Sequence, residues 1–431
     1  MPILLIVSVI LMIWFNYKIT QRIINVITVL TLPYAVLIPI NNYVMYRFGF
    51  YLIKDEVILM ILGAFLCIFI GSLIADIPYS KKHDKKGGGS QIVNIGRAVK
   101  SEKESRYKWA AMIRYVWFVN ILTFFRLLLI ILRHGLNYIG TEDFSGALTS
   151  GLLGHLFLSI TPLVPILLYY WLNHKRSIQY LITAIVSVAL FFLTFVKYHV
   201  IGIVVASYLL ISYENRKYIR KGGIILVAGG TAVFILNYFF SFFLRGVASN
   251  VNSNYYFFHF WNYASGSFIY DNRIFEQGIR VGTSIFYKLG TFIFAPVNLF
   301  TNAIFNYRFF PHEPQPHYLV ATNGQIGNVV DAIGYLYPSK GTIIDIFIFA
   351  IIMLFIGCVF TLIYNHNADT ARKRNTYPTV MVYFLSYFVF LSFFGTFYIN
   401  SVPYEILFWC WLMMKIFDKR VRFVLGSRRI L

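Results

Sequence analysis

The sequence predicts an all-α protein, a polytopic transmembrane helical bundle of about eleven spans with one large external loop. Three observations support this fold class. Hydrophobic residues make up 58% of the 431 residues, whereas only 13% are charged. Apolar runs of roughly 20 residues recur, which is the length a helix needs to cross the hydrocarbon of a bilayer. The alternation typical of an outer-membrane barrel is not visible, and helices satisfy their own backbone hydrogen bonds in lipid.

The apolar runs divide the chain into three parts. Residues 1–244 carry the first eight runs and a basic loop at 78–108, residues 245–341 form one long loop, and residues 342–431 carry three more runs and a basic tail. The runs lie near residues 2–17, 23–46, 56–77, 109–132, 152–173, 178–196, 199–214, 223–244, 342–364, 377–397 and 402–417.

Basic residues are concentrated in one alternating set of loops. That set holds most of the 38 Lys and Arg residues, with the densest group between Lys81 and Lys108. This is the positive-inside distribution, and it predicts a multi-pass protein of the bacterial cytoplasmic membrane with its N-terminus outside and its C-terminus in the cytoplasm. We therefore interpret the net charge of +21 as a topology signal in contact with membrane lipid, and no nucleic-acid partner is expected.

The loop at 245–341 is the predicted external working surface. It mixes aromatic and charged residues, as in the stretch "YASGSFIYDNRIFEQGIRVG" at 263–282, a pattern typical of helices that lie in the membrane interface. Long structured loops on a helical scaffold often carry function. We expect the charges of this stretch, among them Asp271 and Arg273, to help seat a substrate.

Basic residues also gather where several runs reach the predicted outer surface. The residues concerned are Arg126, Arg133, Lys197, His199 and Arg245. Their shared depth predicts a site for an anion such as phosphate or pyrophosphate, which guanidinium and ammonium groups bind well. For each residue taken singly, ordinary anchoring at the interface is the alternative.

An anion site on the outer face suits transfer of a sugar from a lipid-linked pyrophosphate donor. Cationic groups stabilise the charge that pyrophosphate gains as it leaves, and a base must take the proton of the acceptor hydroxyl. The candidate bases in the loop are His259, Asp271, Glu276, His312, Glu313, His317 and Asp331. We favour His312 and His317 in "FFPHEPQPH", for which a proline-stiffened exposed turn is the alternative. No metal site is expected, because the prolines break the helix that HExxH spacing requires.

The segment "GNVVDAIGYLYPSKGTIIDIFIFAIIMLFIGCVFTLIY" from Gly327 to Tyr364 resembles the end of the large external loop, and the span after it, in Wzy-type O-antigen and capsular polysaccharide repeat-unit polymerases. The residues that match the family's pattern are Asn328, Tyr335, Tyr337 and Gly341. Val330 and Asp331 stand where the family has an aromatic residue and a threonine. At the tight outer turn, "FVKYHV" offers Lys197 or His199 in place of the family's arginine.

The resemblance implies a glycosyltransferase that joins oligosaccharide repeat units carried on undecaprenyl pyrophosphate. The growing glycan would pass to the non-reducing-end hydroxyl of a new unit, by a metal-independent, inverting displacement that needs no cofactor. Arg245, Arg280 and Arg126 would hold pyrophosphate with support from Lys197, and His317 or His312 would take the proton. The other residues expected to bind substrate are Arg133, His199, Asp271, Arg273 and Asn328. Whether a chain-length regulator protein binds stays open.

Two other functions stay open on the sequence alone. A glycosyltransferase that uses a polyprenyl monophosphate sugar would place acidic residues in an early external loop, where Asp55 and Glu56 lie. These two residues also suit the first turn of a helix, whose dipole favours negative charge. A flippase or transporter for lipid-linked sugars would favour ionisable residues at mid-membrane and broken helices in two repeated halves.

Overall fold

The computed structural model describes residues 1–84, 103–139, 141–174, 177–194, 196–244, 253–277, 285–305, 307–311, 317–337 and 342–420. It is 82% helical, which confirms the all-α fold class. The predicted site residues Arg245, Arg280 and His312 lie outside the described residues, as do 85–102 of the basic loop and 421–431 of the tail.

Sixteen helices are used below for orientation. They are α1 (Pro2–Thr20), α2 (Val26–Tyr43), α3 (Asp55–Asp84), α4 (Trp109–His134), α5 (Glu142–Thr149), α6 (Gly151–Ser159), α7 (Leu163–His174), α8 (Ile178–Leu193), α9 (Lys197–Glu214), α10 (Tyr218–Leu244), α11 (Ser253–Gln277), α12 (Ile285–Phe305), α13 (Ala332–Leu336), α14 (Ile343–Lys373), α15 (Thr379–Phe384) and α16 (Ser401–Ile416). Strands β1 (Tyr318–Leu319) and β2 (Ile326–Gly327) pair antiparallel between α12 and α13.

Each predicted apolar run coincides with helical structure, and seven helical segments of the described chain are long and apolar enough to cross a membrane. They are Pro2–Thr20, Val26–Tyr43, Asp55–Pro78, Trp109–His134, Gly151–Asn173, Tyr218–Asn237 and Ile343–Lys373. Ile178–Leu193 and Thr379–Phe393 are apolar but shorter. These helices indicate a multi-pass membrane protein. The count of about eleven spans stays a prediction, because the remaining apolar helices are shorter or less hydrophobic.

The closest helix packing joins α3 and α14. A Cβ atom added to Gly71 would lie 2.0 Å from the Leu354 carbonyl oxygen, and one added to Gly357 would lie 2.1 Å from the Ile68 carbonyl oxygen. Small residues let helix backbones approach in lipid, where dispersion contacts rather than the hydrophobic effect hold helices together. The α3–α14 pair is therefore the most extensive helix contact of the described chain, and α1, α2 and α11 pack against α3.

The described parts of the segment between α10 and α14, which is the predicted external loop, pack against the helices. Its hairpin extends the connection between α2 and α3, since the Tyr51 N–H donates to the Val320 carbonyl at 3.0 Å and the Thr322 N–H donates to the Gly49 carbonyl at 2.9 Å. Helix α12 packs along α16. Its position on the outer side of a membrane stays a prediction.

The opposite end of the bundle is tied together by ion pairs. Lys103, at the end of the predicted basic loop, lies 2.9 Å from a carboxylate oxygen of Glu214 at the end of α9. Arg106 pairs with Asp418 beyond α16, and the Lys419 N–H donates to the Arg106 carbonyl. These contacts bring the ends of α9 and α16 to the face on which the basic loops lie.

Candidate functional site

The candidate site begins at the tight turn between α8 and α9. The Thr194 hydroxyl donates to the Phe191 carbonyl at 2.7 Å and accepts from the Val196 N–H at 3.3 Å. Lys197 then opens α9, and its ammonium group lies 4.6 Å from the centre of the Tyr263 ring. A cation over an aromatic face is attracted by the ring quadrupole. The predicted outer turn therefore meets the predicted external loop at this contact.

Helix α11 presents a row of rings to this lysine. Tyr255, His259 and Tyr263 are spaced four residues apart, so they lie on one helix face. The rings of Tyr255 and His259 stack at 5.2 Å between centroids, and those of His259 and Tyr263 meet edge to face at 5.3 Å. Nε2 of Gln325 lies 3.3 Å from Nδ1 of His259. We call these four residues together with Lys197 the Lys197 cluster.

The electrostatics of the Lys197 cluster keep its histidine neutral. Burial, and then the nearby Lys197 charge, lower the pKa of His259 to about 4. Burial raises the pKa of Tyr263. At neutral pH the cluster thus combines one cation with a neutral imidazole and two phenol rings. That set can bind an anion, stack on an apolar sugar face and accept a proton.

Helix α11 is held in place by hydrogen bonds along its length. The Trp261 indole N–H donates to the Asn41 side chain at 3.0 Å, and the Asn262 amide donates to the Ile326 carbonyl at 2.7 Å. At the other end, the Asn272 amide donates to the Leu52 carbonyl at 2.6 Å and its oxygen accepts from the backbone of Lys54 at 2.8 Å. These hydrogen bonds to other segments fix the position of α11. The rings of the Lys197 cluster on that helix therefore have a defined orientation.

Two fully buried carboxyl groups meet behind this helix. Asp271 on α11 and Asp331 before α13 both have no exposed surface. They border the same space, since a Cβ atom on Gly334 would lie 2.0 Å from Oδ1 of Asp271 and 2.7 Å from Oδ1 of Asp331. The Tyr34 hydroxyl of α2 donates to Oδ2 of Asp331 at 2.9 Å. The pair thereby links α11, α13 and α2.

The two carboxyl groups differ in their environment. Asp331 accepts hydrogen bonds from the N–H groups of Ile333 and Gly334, each at 3.1 Å, and so caps the first turn of α13. Burial nevertheless raises the pKa of Asp331 to about 6. Burial, and then the Asp331 charge, raise the pKa of Asp271 well above its ordinary value. Two negative charges in one dry space repel, so Asp271 is the member that retains a proton.

A buried lysine holds the other end of the same short helix. Lys288 on α12 is 4% exposed, and its Nζ donates a hydrogen bond to the Tyr335 carbonyl at 2.5 Å. It also lies 5.1 Å from the centre of the Tyr335 ring. Helix α13 thus has an acidic group at its N-terminus and a cation at its C-terminus, the arrangement that suits its dipole.

The predicted residues of α4 and α9 lie at different depths. Arg126 is half-buried, and its Nη1 donates to the Ser150 carbonyl at 2.7 Å, between α5 and α6. Arg133 is exposed at the end of α4. His199 is buried with 4% exposure, beside Tyr198 and below Lys197. Of these residues, only Lys197 contacts the α11 rings. Arg126 and the turn at Lys197 belong to neighbouring helices, since the end of α8 packs beside α4.

The predicted residues of the loop are dispersed. His317 is exposed and immediately precedes β1, and Asn328 is half-buried and immediately follows β2. The strand register places these two residues next to each other at one end of the hairpin. Arg273 is half-buried on α11, two residues beyond Asp271. Among the described residues, no three His, Cys, Asp or Glu side chains are grouped so that they could hold a metal ion.

Sequence reasoning missed one ionisable contact inside the apolar helices. Nδ1 of His155 on α6 lies 2.7 Å from Oε1 of Glu405 on α16, and the Trp409 indole N–H donates to the same oxygen at 3.0 Å. Glu405 is the one acidic residue of the predicted run at 402–417, and a charge within an apolar run costs insertion free energy unless it is paired. That cost was the signal that could have directed attention to Glu405. Its partner is 250 positions away in the sequence.

Comparison with known proteins found no match for this chain: no family model, no curated protein and no solved structure is similar to it.

Proposed function

We propose that this chain is a membrane glycosyltransferase that polymerises lipid-linked oligosaccharide repeat units. Its substrates would be glycans on undecaprenyl pyrophosphate, and it would act at the outer face of the bacterial cytoplasmic membrane. The observation that carries the proposal is the contact of Lys197 with the Tyr263 ring. It joins a cation of the helical bundle to the aromatic row of the predicted external loop, beside a neutral histidine.

The donor would bind with its pyrophosphate near Lys197. The ammonium group stabilises the charge that pyrophosphate gains as the bond to the sugar breaks. Tyr255 and Tyr263 offer ring faces on which the adjoining sugars can stack. Arg126 lies on the neighbouring helix α4 and is proposed as a further cation of the donor site. Arg245 and Arg280 remain part of the proposal as further pyrophosphate ligands.

The acceptor hydroxyl would lose its proton to His259. Its imidazole is neutral and lies between the two tyrosine rings, whereas His317 lies at the exposed start of the hairpin. A free-enzyme pKa of about 4 makes a weak base, but Lys197 contributes to that low value. A bound pyrophosphate would offset the Lys197 charge, so the basicity of His259 would rise when the donor is in place. Donor binding would thereby activate the base.

The buried carboxyl pair has a different role in this proposal. Asp271 and Asp331 have no exposed surface, so they are positioning residues that fix α11 against α13 and α2. They keep the ring row of α11 aligned with the start of α9. Their burial favours this role over direct contact of Asp271 with a substrate.

In the first experiment, the gene for this chain is deleted from its host, and the surface glycan is separated by size on a gel. A polymerase predicts that the ladder collapses to single repeat units on the lipid carrier, and that the wild-type chain restores it. The Lys197→Gln variant should fail to restore the ladder. The matched control is Arg47→Gln, which removes an exposed cation from the predicted outer side and should restore it.

Two other patterns on the same gel would contradict the polymerase proposal and indicate a different function. Lipid-linked units trapped inside the cell would indicate a flippase. Altered or shortened repeat units would indicate a glycosyltransferase that uses a polyprenyl monophosphate sugar. In the structure, Asp55 of the acidic pair expected for that enzyme lies 3.7 Å from the N-terminal amine.

A further inference from the structure

A second polar site lies at the end of the bundle that carries the basic loops. It is a cavity of about 320 Å³ between the turn that follows α1, the turn that follows α9 and the last turn of α14. One arginine comes from each of these segments: Arg22, Arg216 and Arg372. None of the three belongs to the Lys197 cluster. The three segments are far apart in the sequence, so the fold alone brings the arginines together.

The charge around the cavity is strongly positive. Its lining includes one acidic side chain, Asp369, and the carboxylate of that residue lies 2.9 Å from Nζ of Lys373. The Asp369 carboxylate is thus paired with Lys373, a fourth cation beside the three arginines. Guanidinium groups held close together repel one another, and an anion between them removes that repulsion. Planar guanidinium groups also match the oxygens of a phosphate, which they can bind with two parallel hydrogen bonds.

Arg22 is held in position before any ligand arrives. Its Nη1 donates to Oδ1 of Asn365 at 2.8 Å, and its guanidinium lies 5.6 Å from the centre of the Tyr364 ring. The Asn365 amide in turn donates to the buried Asp76 at 2.8 Å. The Asn25 amide donates to the Arg22 carbonyl at 2.8 Å and fixes the turn. Preorganisation of this kind lowers the entropy lost on binding.

The size and the walls of the cavity select the ligand further. A volume of about 320 Å³ lies at the lower end of the usual range for small-molecule pockets. Ile23, Ile24 and Ile219 also line it, and Ile23 is 40% exposed. The cavity therefore joins a cationic part to an apolar edge near the end of the membrane-spanning helices.

We propose that this cavity binds a phosphate group, through Arg22, Arg216 and Arg372, at the face that the sequence predicts to be cytoplasmic. Two sources can supply the same chemistry. One is the headgroup of an anionic phospholipid, whose glycerol and first methylenes would lie on the isoleucines. The other is a soluble phosphate or pyrophosphate.

The test measures the thermal unfolding midpoint of the purified full chain in detergent, with one probe added at a time. The probes are inorganic phosphate, inorganic pyrophosphate and short-chain phosphatidylglycerol. Chloride at matched ionic strength and short-chain phosphatidylcholine serve as controls. A ligand that binds only the folded state raises the midpoint in a saturable manner. A rise with phosphatidylglycerol alone identifies the lipid headgroup, and a rise with phosphate or pyrophosphate identifies the soluble source.

Variants test whether the arginines carry the effect. Arg216→Gln changes an exposed side chain and should weaken binding of the active probe roughly tenfold, because it removes a charge-assisted contact. Replacing all three arginines with Gln should abolish the rise. Arg374→Gln is the matched control, since Arg374 follows α14 directly but does not line the cavity. No rise with any probe, or an equal rise in Arg216→Gln and the wild type, would overturn the proposal.

Discussion

The ammonium group of Lys197 lies 4.6 Å from the centre of the Tyr263 ring, so the first residue of α9 contacts the middle of α11. This contact joins the bundle to the segment predicted as the external loop. It also places a positive charge beside His259, which stacks with Tyr255 and meets Tyr263 edge to face. The proposed chemistry depends on this arrangement.

The first prediction concerns the charge of Lys197. Lys197→Met removes the cation but keeps a side chain of similar length, so the pKa of His259 should rise from about 4 toward its ordinary range. It should not reach that range, because burial is the larger cause of its shift. Labelling with diethylpyrocarbonate from about pH 4 to about pH 8, followed by peptide mass spectrometry, reports the titration. An unchanged labelling profile at His259 would show that the two groups are not coupled.

The second prediction separates the candidate bases. His259→Gln should lower the polymerisation rate at saturating substrate by roughly a hundredfold or more, the usual effect of losing a general base. His317→Gln and His312→Gln should each retain most of the rate. The readout is the initial rate of chain lengthening with purified protein at several substrate concentrations. If His317→Gln or His312→Gln is the inactive variant, the base lies in the proline-rich turn as the sequence first suggested.

The third prediction concerns the space between the buried carboxyl groups. Gly334→Ala places a methyl group 2.0 Å from Oδ1 of Asp271 and 2.7 Å from Oδ1 of Asp331, so the two buried carboxyl groups must shift. Overpacking of this kind costs about 1–3 kcal/mol, and the thermal unfolding midpoint in detergent should fall. Gly146→Ala on α5 is the control, because an added Cβ there has no neighbour within 4 Å. Equal midpoints for the two variants would contradict the close contact.

The fourth prediction is a pH dependence of stability. Burial raises the folded-state pKa of both Asp271 and Asp331, so the folded chain binds more protons than the unfolded chain between the unfolded and folded pKa values. Stability contributed by the pair is therefore complete at low pH and falls as pH rises through the folded values. Asp271→Asn keeps the shape but removes one titrating group.

The unfolding midpoint measured from about pH 5 to about pH 8 checks this sign. The lowered pKa of His259 acts in the opposite direction up to its ordinary value, so the sign is read from the difference between the two chains. The midpoint of the wild type should fall relative to that of Asp271→Asn as the pH rises. Glu56→Gln, an exposed change in the first turn of α3, is the control and should follow the wild type. A wild-type midpoint that does not fall relative to that of Asp271→Asn as the pH rises would contradict the raised pKa values.

The sequence predicted the helices well because each apolar run is a local signal. The run at 23–46 became α2, although it contains Pro33 and Pro39, and the described parts of the long loop form three helices and a hairpin. The number of spans was harder to predict, because the short helices α8 and α16 match the apolar pattern without the length that a bilayer requires.

The site was only partly predictable because its contacts join distant segments. Lys197 was expected at an outer turn, and His259 was among the candidate bases, but 62 residues separate them and nothing local shows that they meet. The same holds for Asp271 and Asp331, whose separate patterns suggested substrate binding and catalysis. Only the fold shows that both are buried around Gly334.

The most direct measurement of the central claim uses the purified chain in vesicles with undecaprenyl-pyrophosphate-linked repeat units as the sole substrate. The proposed function predicts a ladder of lengthened glycans, with one undecaprenyl pyrophosphate released for each unit added, and neither product with Lys197→Gln. Lipid-linked units that stay at single length with the wild-type chain, or a ladder of equal rate with Lys197→Gln, would contradict it.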